Sequence, residues 1–160
     1  MKKEILLLLT RVLLLVIGGW ILFTWIFCVT SVRGNEMFPA LKDGDLAFAL
    51  RFQRDYVKND VVVYEQNGET YIGRIAAREG DTVEMDDSGT MLVNGTGQQG
   101  EIIYPTYAKE GLDYPYQVPK GTVFILEDYR TQAEDSRDFG AIALEDVKGK
   151  VFTILRRRGL

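Results

Sequence analysis

The chain has 160 residues, a formal charge of −4 and 46% hydrophobic residues, a balance that fits a folded domain rather than a disordered tail. Mild acidity speaks against a nucleic-acid partner, and the short basic cluster Arg156–Arg158 reads as a solvated strand end. One cysteine, Cys28, excludes an intrachain disulfide and a cysteine-rich metal site, and the absence of histidine excludes Ser-His-Asp and Cys-His catalysis and histidine metal centres.

A charged start, with Lys2 and Lys3, leads into an apolar run broken once by Arg11. A bilayer core needs about 20 apolar residues, and Val12–Val32 supplies them, with Trp20 and Trp25 inside and Arg33 at the far edge. Arg11 can snorkel to the near interface. Lys2, Lys3 and Arg11 favour a cytoplasmic N-terminus, which places the rest of the chain outside the cell. A cleaved signal peptide would be shorter and would end at a small-x-small site, and no convincing one follows. The expectation is a single-pass cell-membrane protein: residues 1–33 form a cytoplasmic start and uncleaved signal anchor, and residues 34–160 an extracytoplasmic domain.

From Gly44 onward the pattern is β. Asp45–Arg51, Asp60–Glu65 and Thr70–Arg78 are short runs rich in aromatic, β-branched and other apolar residues. Asn67-Gly68 between the last two predicts a two-residue hairpin turn. Thr82–Met85 and Met91–Val93 flank Asp86-Asp87-Ser88-Gly89, a second hairpin. Gly95–Gly121, rich in Gly, Tyr and Pro, reads as a long loop whose Tyr104, Tyr107, Tyr114 and Tyr116 cover the β core rather than form a recognition patch. Thr122–Leu126 and Lys150–Leu155 are further strands, and Asp138–Asp146 is a turn and short connection. The fold class is mainly β: an antiparallel domain behind one N-terminal transmembrane helix.

Four blocks in order carry a resemblance. They are Gly34-x-x-Met37-x-Pro39; Gly44-Asp45 with Asn59-Asp60-Val61-Val62; Tyr71-x-x-Arg74-Ile75 with Gly80-Asp81-Thr82-Val83; and Val118-Pro119-x-Gly121 with Asp128-x-Arg130 and Asp135-Ser136-Arg137-x-Phe139-Gly140. Together they resemble the type I signal peptidases (S26 family, Gram-positive type), membrane serine proteases that cut targeting peptides from exported proteins. The resemblance implies their antiparallel β domain and a cleft built around Gly34, Met37, Pro39, Arg74, Asp128, Arg130, Asp135, Ser136 and Arg137, with the two Asp–Arg neighbourhoods as scaffold pairs and with no metal or other cofactor. Met37 and Phe38 serve either packing and the membrane edge or substrate contact, and Pro39 and Gly44 shape turns.

The reacting positions depart from that pattern. The resemblance places the nucleophilic serine at Glu36, the general-base lysine at Gly73 and the helper serine at Ala133. Glu79, Glu127 and Tyr129 replace the family's Pro, Gly and Asn. A carboxylate that attacks an amide is expelled again more readily than the amine, and neither Gly73 nor Ala133 can protonate the leaving nitrogen. A carboxyl pair would need Glu36 and Asp128 or Asp135 to share a proton, but both aspartates have arginines nearby in sequence. The remaining serines, Ser31, Ser88 and Ser136, have no evident lysine partner. The resemblance is therefore to a degenerate, SipA-type signal-peptidase-like protein of pilus assembly. It implies chaperone-like handling of an exported or pilin segment at the membrane, alongside sortase. The alternatives are an active peptidase with carboxylate chemistry, and a membrane anchor that docks a partner through the Tyr-rich loop.

Overall fold

The structure, a computed structural model, describes residues 2–98 and 102–156. Arg157 and Arg158 of the basic cluster and residues 99–101 of the Tyr-rich loop lie outside the described residues.

Helix α1 (Lys2–Ile26) contains no buried residue and is the one helix, among the described residues, long and apolar enough to cross a membrane. At 1.5 Å per residue it spans roughly 38 Å, more than the ~30 Å hydrocarbon core. It ends at Ile26, short of the expected Val32. Phe27–Ser31 is instead strand β1, paired antiparallel with β2 (Leu46–Leu50) from Phe27↔Leu50 to Ser31↔Leu46. Apolarity alone does not separate a membrane helix from an apolar strand. Phe-Cys-Val-Thr favours the pleated form, and β2 completes its hydrogen bonds. The sheet thus begins inside the stretch assigned to the anchor, and Cys28 is a half-buried strand residue rather than a membrane one.

The other strands follow their apolar runs: β3 (Val61–Gln66), β4 (Glu69–Arg78), β5 (Thr82–Met85), β6 (Met91–Val93) and β9 (Thr122–Leu126). Asn67 and Gly68 both have positive φ, 53° and 81°, the geometry of the tight turn that matches strand twist. The sequence reading missed several short pieces. These are β7 (Thr96–Gly97) and β8 (Tyr116–Gln117) inside the Tyr-rich loop, helix α2 (Ser136–Phe139) and β10 (Ile142–Ala143) in the presumed connection, and the early start of β11 (Val147–Leu155). Each is too short, or too polar at its start, to show a period.

Two sheets result, with orders β1-β2-β11-β3-β4-β9-β10 and β7-β6-β5-β8. Alternation along β3 sends Val62 and Tyr64 to one face, where they pack with Ile75, Ile125 and Ile142, and sends Val63 to the other, with Ala47, Ala49 and Ile72. A third cluster joins Phe124 and Leu126 of the large sheet to Val83, Met91 and Val93 of the small one.

The turn between β4 and β5 is held by Asp81. Its carboxylate accepts from the Arg78 amide at 2.8 Å and from Asn94 Nδ2 at 2.6 Å, and pairs with Lys58 at 3.2 Å. Desolvation pushes its pKa upward, but these donors outweigh it and hold the carboxyl below its ordinary value. A carboxyl whose folded pKa is depressed stabilises the fold above its unfolded pKa and loses that contribution as pH falls through the folded pKa. Asp81→Ala should therefore cost about 1–3 kcal/mol near neutral pH in thermal melts of the detergent-solubilised chain. The gap to wild type should close as the pH is taken below about 4.

Candidate functional site

The loop between β1 and β2 is the best-tied irregular segment. Val32 N–H donates to Asp45 O (2.8 Å) and Gly44 N–H to Val32 O (3.0 Å), which extends the β1–β2 ladder across its neck. Gly34 N–H donates to Asp43 Oδ1 at 2.9 Å, and Lys42 N–H to Asp45 Oδ2 at 3.1 Å. Met37 and Leu41, 2% and 0% exposed, plug the loop into the face formed by Ala47, Ala49, Val63 and Ile72. Burying two such side chains contributes roughly 1.5–3 kcal/mol each. Met37 is thus a packing residue, and Pro39 is an exposed turn residue after a cis peptide bond. From the end of β11, which pairs beside Asp45 at Leu155↔Leu46, Arg156 donates to Ala40 O at 3.1 Å and lies 3.7 Å from the Asp45 carboxylate.

Glu36 lies exposed on this loop, and its carbonyl accepts from Tyr129 N–H at 2.6 Å. Gly34 has φ 75°, and the Glu36 carboxylate occupies the space that a Cβ at residue 34 would enter. The positive φ favours glycine there, whereas the exposed Glu36 side chain is free to swing aside.

Behind the loop stands the scaffold expected from the sequence, with one change in its pairing. Arg74 grips Asp128 through two parallel bonds, Nε to Oδ1 at 2.8 Å and Nη2 to Oδ2 at 2.6 Å. Arg137 grips Asp135 in the same way, both bonds at 2.9 Å, and donates to Arg130 O at 2.7 Å. Asp135 also caps α2. Ser136 is fully buried, its Oγ accepting from Ile125 N–H at 2.9 Å, so it is structural. Arg130 differs. It is 1% exposed and donates to Gln98 and Thr106 rather than to a carboxylate among the described residues. Burial lowers its pKa to about 10. The Tyr-rich loop covers the core in part: Tyr114 and Tyr116 pack against the Val83–Phe124 cluster, Tyr104 stacks on Tyr129, Tyr107 is exposed, and Thr106 and the Tyr107 carbonyl receive the two arginines.

A groove of about 750 Å³ opens between the end of β1, the loop and the β3–β4 turn. Thr30 to Arg33, Glu36 and Met37 form one wall, Gly68 to Ile72 the other, and Glu127, Gln132 and Glu134 the end. Of the three altered positions only Glu36 reaches this groove. Gly73 and Ala133 are buried. A Cβ at Gly73 would stand 2.5 Å from Ile125 Cγ2 and 3.2 Å from Tyr64 Cε1, so neighbouring side chains already fill that volume. Ala133 is 1% exposed, and its carbonyl accepts from Lys109 Nζ at 2.5 Å. Ser31 lies on the groove's lip, but no lysine lines the groove among the described residues. Asp128 and Asp135, the carboxyls considered as partners for Glu36, are both committed to arginines.

The residue that sequence reasoning passed over as a mere departure is Glu127. It follows the apolar strand β9, is only 3% exposed, and its Oε2 has no hydrogen-bond partner among the described residues. Burial, then the charges of Asp135 and Glu36, raise its pKa to about 9, while Lys109 and Arg137 pull the other way and lose. Near neutral pH its carboxyl is therefore protonated. Tyr64, whose hydroxyl also lacks a partner among the described residues, has its pKa raised by burial and then by Glu127. A carboxyl at the end of the run Thr-Val-Phe-Ile-Leu was the available signal.

Comparison with known proteins agrees with this geometry. Residues 3–155 match the family described as signal peptidase, peptidase S26. Signal peptidase IB of Staphylococcus aureus (strain COL) is 30% identical over 176 residues, covering 94% of this chain and 89% of that protein. Thylakoidal processing peptidase 1 of Arabidopsis thaliana is 30% identical over 136 residues, and there the chain spans only 39% of the relative's length. A crystal structure of a signal peptidase I from Enterococcus faecalis superposes with a TM-score of 0.52 at 26% identity, covering 62% of this chain and 97% of that one. Antiparallel β sheets behind an N-terminal apolar helix match the signal peptidase I fold, and the chain belongs to the signal peptidase, peptidase S26, family.

Proposed function

We propose that this chain is a non-proteolytic family member. Anchored by α1 with its N-terminus in the cytoplasm, it holds an extended segment of an exported protein, of the pilin type, in the groove and releases it intact to an assembly enzyme such as sortase. The observation that carries this reading is the state of the reacting positions. A carboxylate, a hydrogen and a methyl stand where a nucleophile, a general base and its helper are needed, while the loop and groove around them remain built. Removing one member of a nucleophile–base unit already lowers kcat by several orders of magnitude. Holding needs none of them, because an extended segment can be bound by main-chain hydrogen bonds along strand edges, and β1 presents such an edge to the groove. The full chain in detergent, incubated with a pilin precursor, should leave the signal junction uncut. A cut that disappears in Glu36→Ala would overturn the reading.

One observation favours a second reading. Glu127, protonated and buried, and Glu36, exposed, are two carboxyls that line one groove and act on each other electrostatically, and carboxyl-pair hydrolysis uses two carboxyls in different protonation states. Activity of that kind would vanish in Glu127→Gln as well as in Glu36→Ala.

The filled space at Gly73 sharpens the test of idleness. Glu36→Ser, Gly73→Lys and Ala133→Ser together restore the family's reacting groups, but the new lysine stem collides with Ile125 and Tyr64. Overpacking of this kind costs about 1–3 kcal/mol. The triple variant should melt below wild type and stay inactive. Adding Ile125→Ala should recover part of the melting temperature and is the background in which precursor cleavage would first appear.

A further inference from the structure

The groove's charge is lopsided. Glu36, Glu69, Glu127 and Glu134 line it against a single cation, Arg33, among the described residues. Arg33 is exposed on the β1 lip. Glu69 is partly engaged, accepting from Tyr71 Oη at 3.2 Å. Glu127 is the informative member, because it is nearly inaccessible yet leaves an oxygen unsatisfied beside the groove. A buried polar oxygen without a partner is unfavourable, and a guest that supplies a donor relieves that loss.

We propose that the inner end of this groove is a cation subsite, in which the ammonium or guanidinium of a basic side chain on an extended guest segment bonds Glu127, with Glu36 and Glu134 as flanking counter-charges. The inference rests on the groove-binding reading above and deepens it by naming the guest's chemistry. Six groups face or act on Glu127: Glu36 from the β1–β2 loop, Asp135 and Arg137 at the start of α2, Lys109 from the Tyr-rich loop, Tyr64 from β3 and Tyr71 from β4. Asp135 and Arg137 satisfy each other, and Lys109 is bound to Asp138 and the Ala133 carbonyl. None of them is a donor to Glu127 Oε2. Entry of a cation favours the carboxylate form, so a proton leaves Glu127 as the guest is seated. Ionisation is easier at higher pH, and a lysine guest keeps its charge to about pH 10. Affinity for a basic guest therefore rises between about pH 6 and pH 9.

The test uses the full chain in detergent micelles and short Thr/Val/Ala host peptides carrying lysine, arginine, glutamine or glutamate at the centre, read by fluorescence anisotropy. At neutral pH a basic host should bind at least about tenfold tighter than the glutamine host, as expected for a charge-assisted hydrogen bond, and the glutamate host weaker still. The lysine and arginine arms decide which cation the subsite takes. In Glu127→Gln, checked for wild-type melting, the preference should shrink to within about twofold and its pH dependence should flatten. Equal binding of the glutamine and basic hosts overturns the cation subsite but leaves groove binding standing. Failure of every host to bind overturns both.

Discussion

Asp135 is the joint on which the site's architecture turns. It has no exposed surface, yet it carries a full set of partners: both oxygens bond the Arg137 guanidinium, Oδ1 takes the Arg137 amide at the start of α2, and Oδ2 takes Glu127 N–H at 3.3 Å. Through Arg137 the same cluster reaches the carbonyls of Arg130 and Tyr107. One buried ion pair thus fixes the end of β9, the short helix and the covering loop. Such a pair is not itself a large net stabiliser, because desolvation offsets its attraction, but deleting one partner leaves a buried charge and is destabilising by about 3–5 kcal/mol. The scaffold residues thus hold the backbone around the groove.

The sequence made the principal strands legible because their side chains alternate or run apolar over four residues or more, and because Asn67-Gly68 has few other conformational uses. It misplaced the end of α1 because Phe27–Ser31 continues the apolar run without a break, and only pairing with Leu46–Leu50 decides its form. The two-residue strands β7, β8 and β10 exist through partners distant in sequence and leave no local period.

At the site, the expected Asp135–Arg137 pair forms, whereas Asp128 pairs with Arg74 rather than with Arg130. The distant partners were less visible: Arg74 reaches Asp128 across 54 positions, and Arg130 turns to Gln98 and Thr106. Glu127 read as a departure, and only its place at the end of an apolar strand hinted at a buried acid, because its neighbours Asp135 and Glu36 come from other elements. Gly73 likewise read as a missing amine, whereas in the structure the volume a side chain would take there is filled by Ile125 and Tyr64. The difference matters chemically. A merely absent group leaves room for water or a guest, while an infilled one contributes to the core.

That infilling also constrains substitution. Tyr64 and Ile125 stand where a side chain at residue 73 would go, so any larger residue there meets steric conflict and is accommodated only together with a trimmed neighbour. Position 73 is thus coupled to the core before it is coupled to the groove.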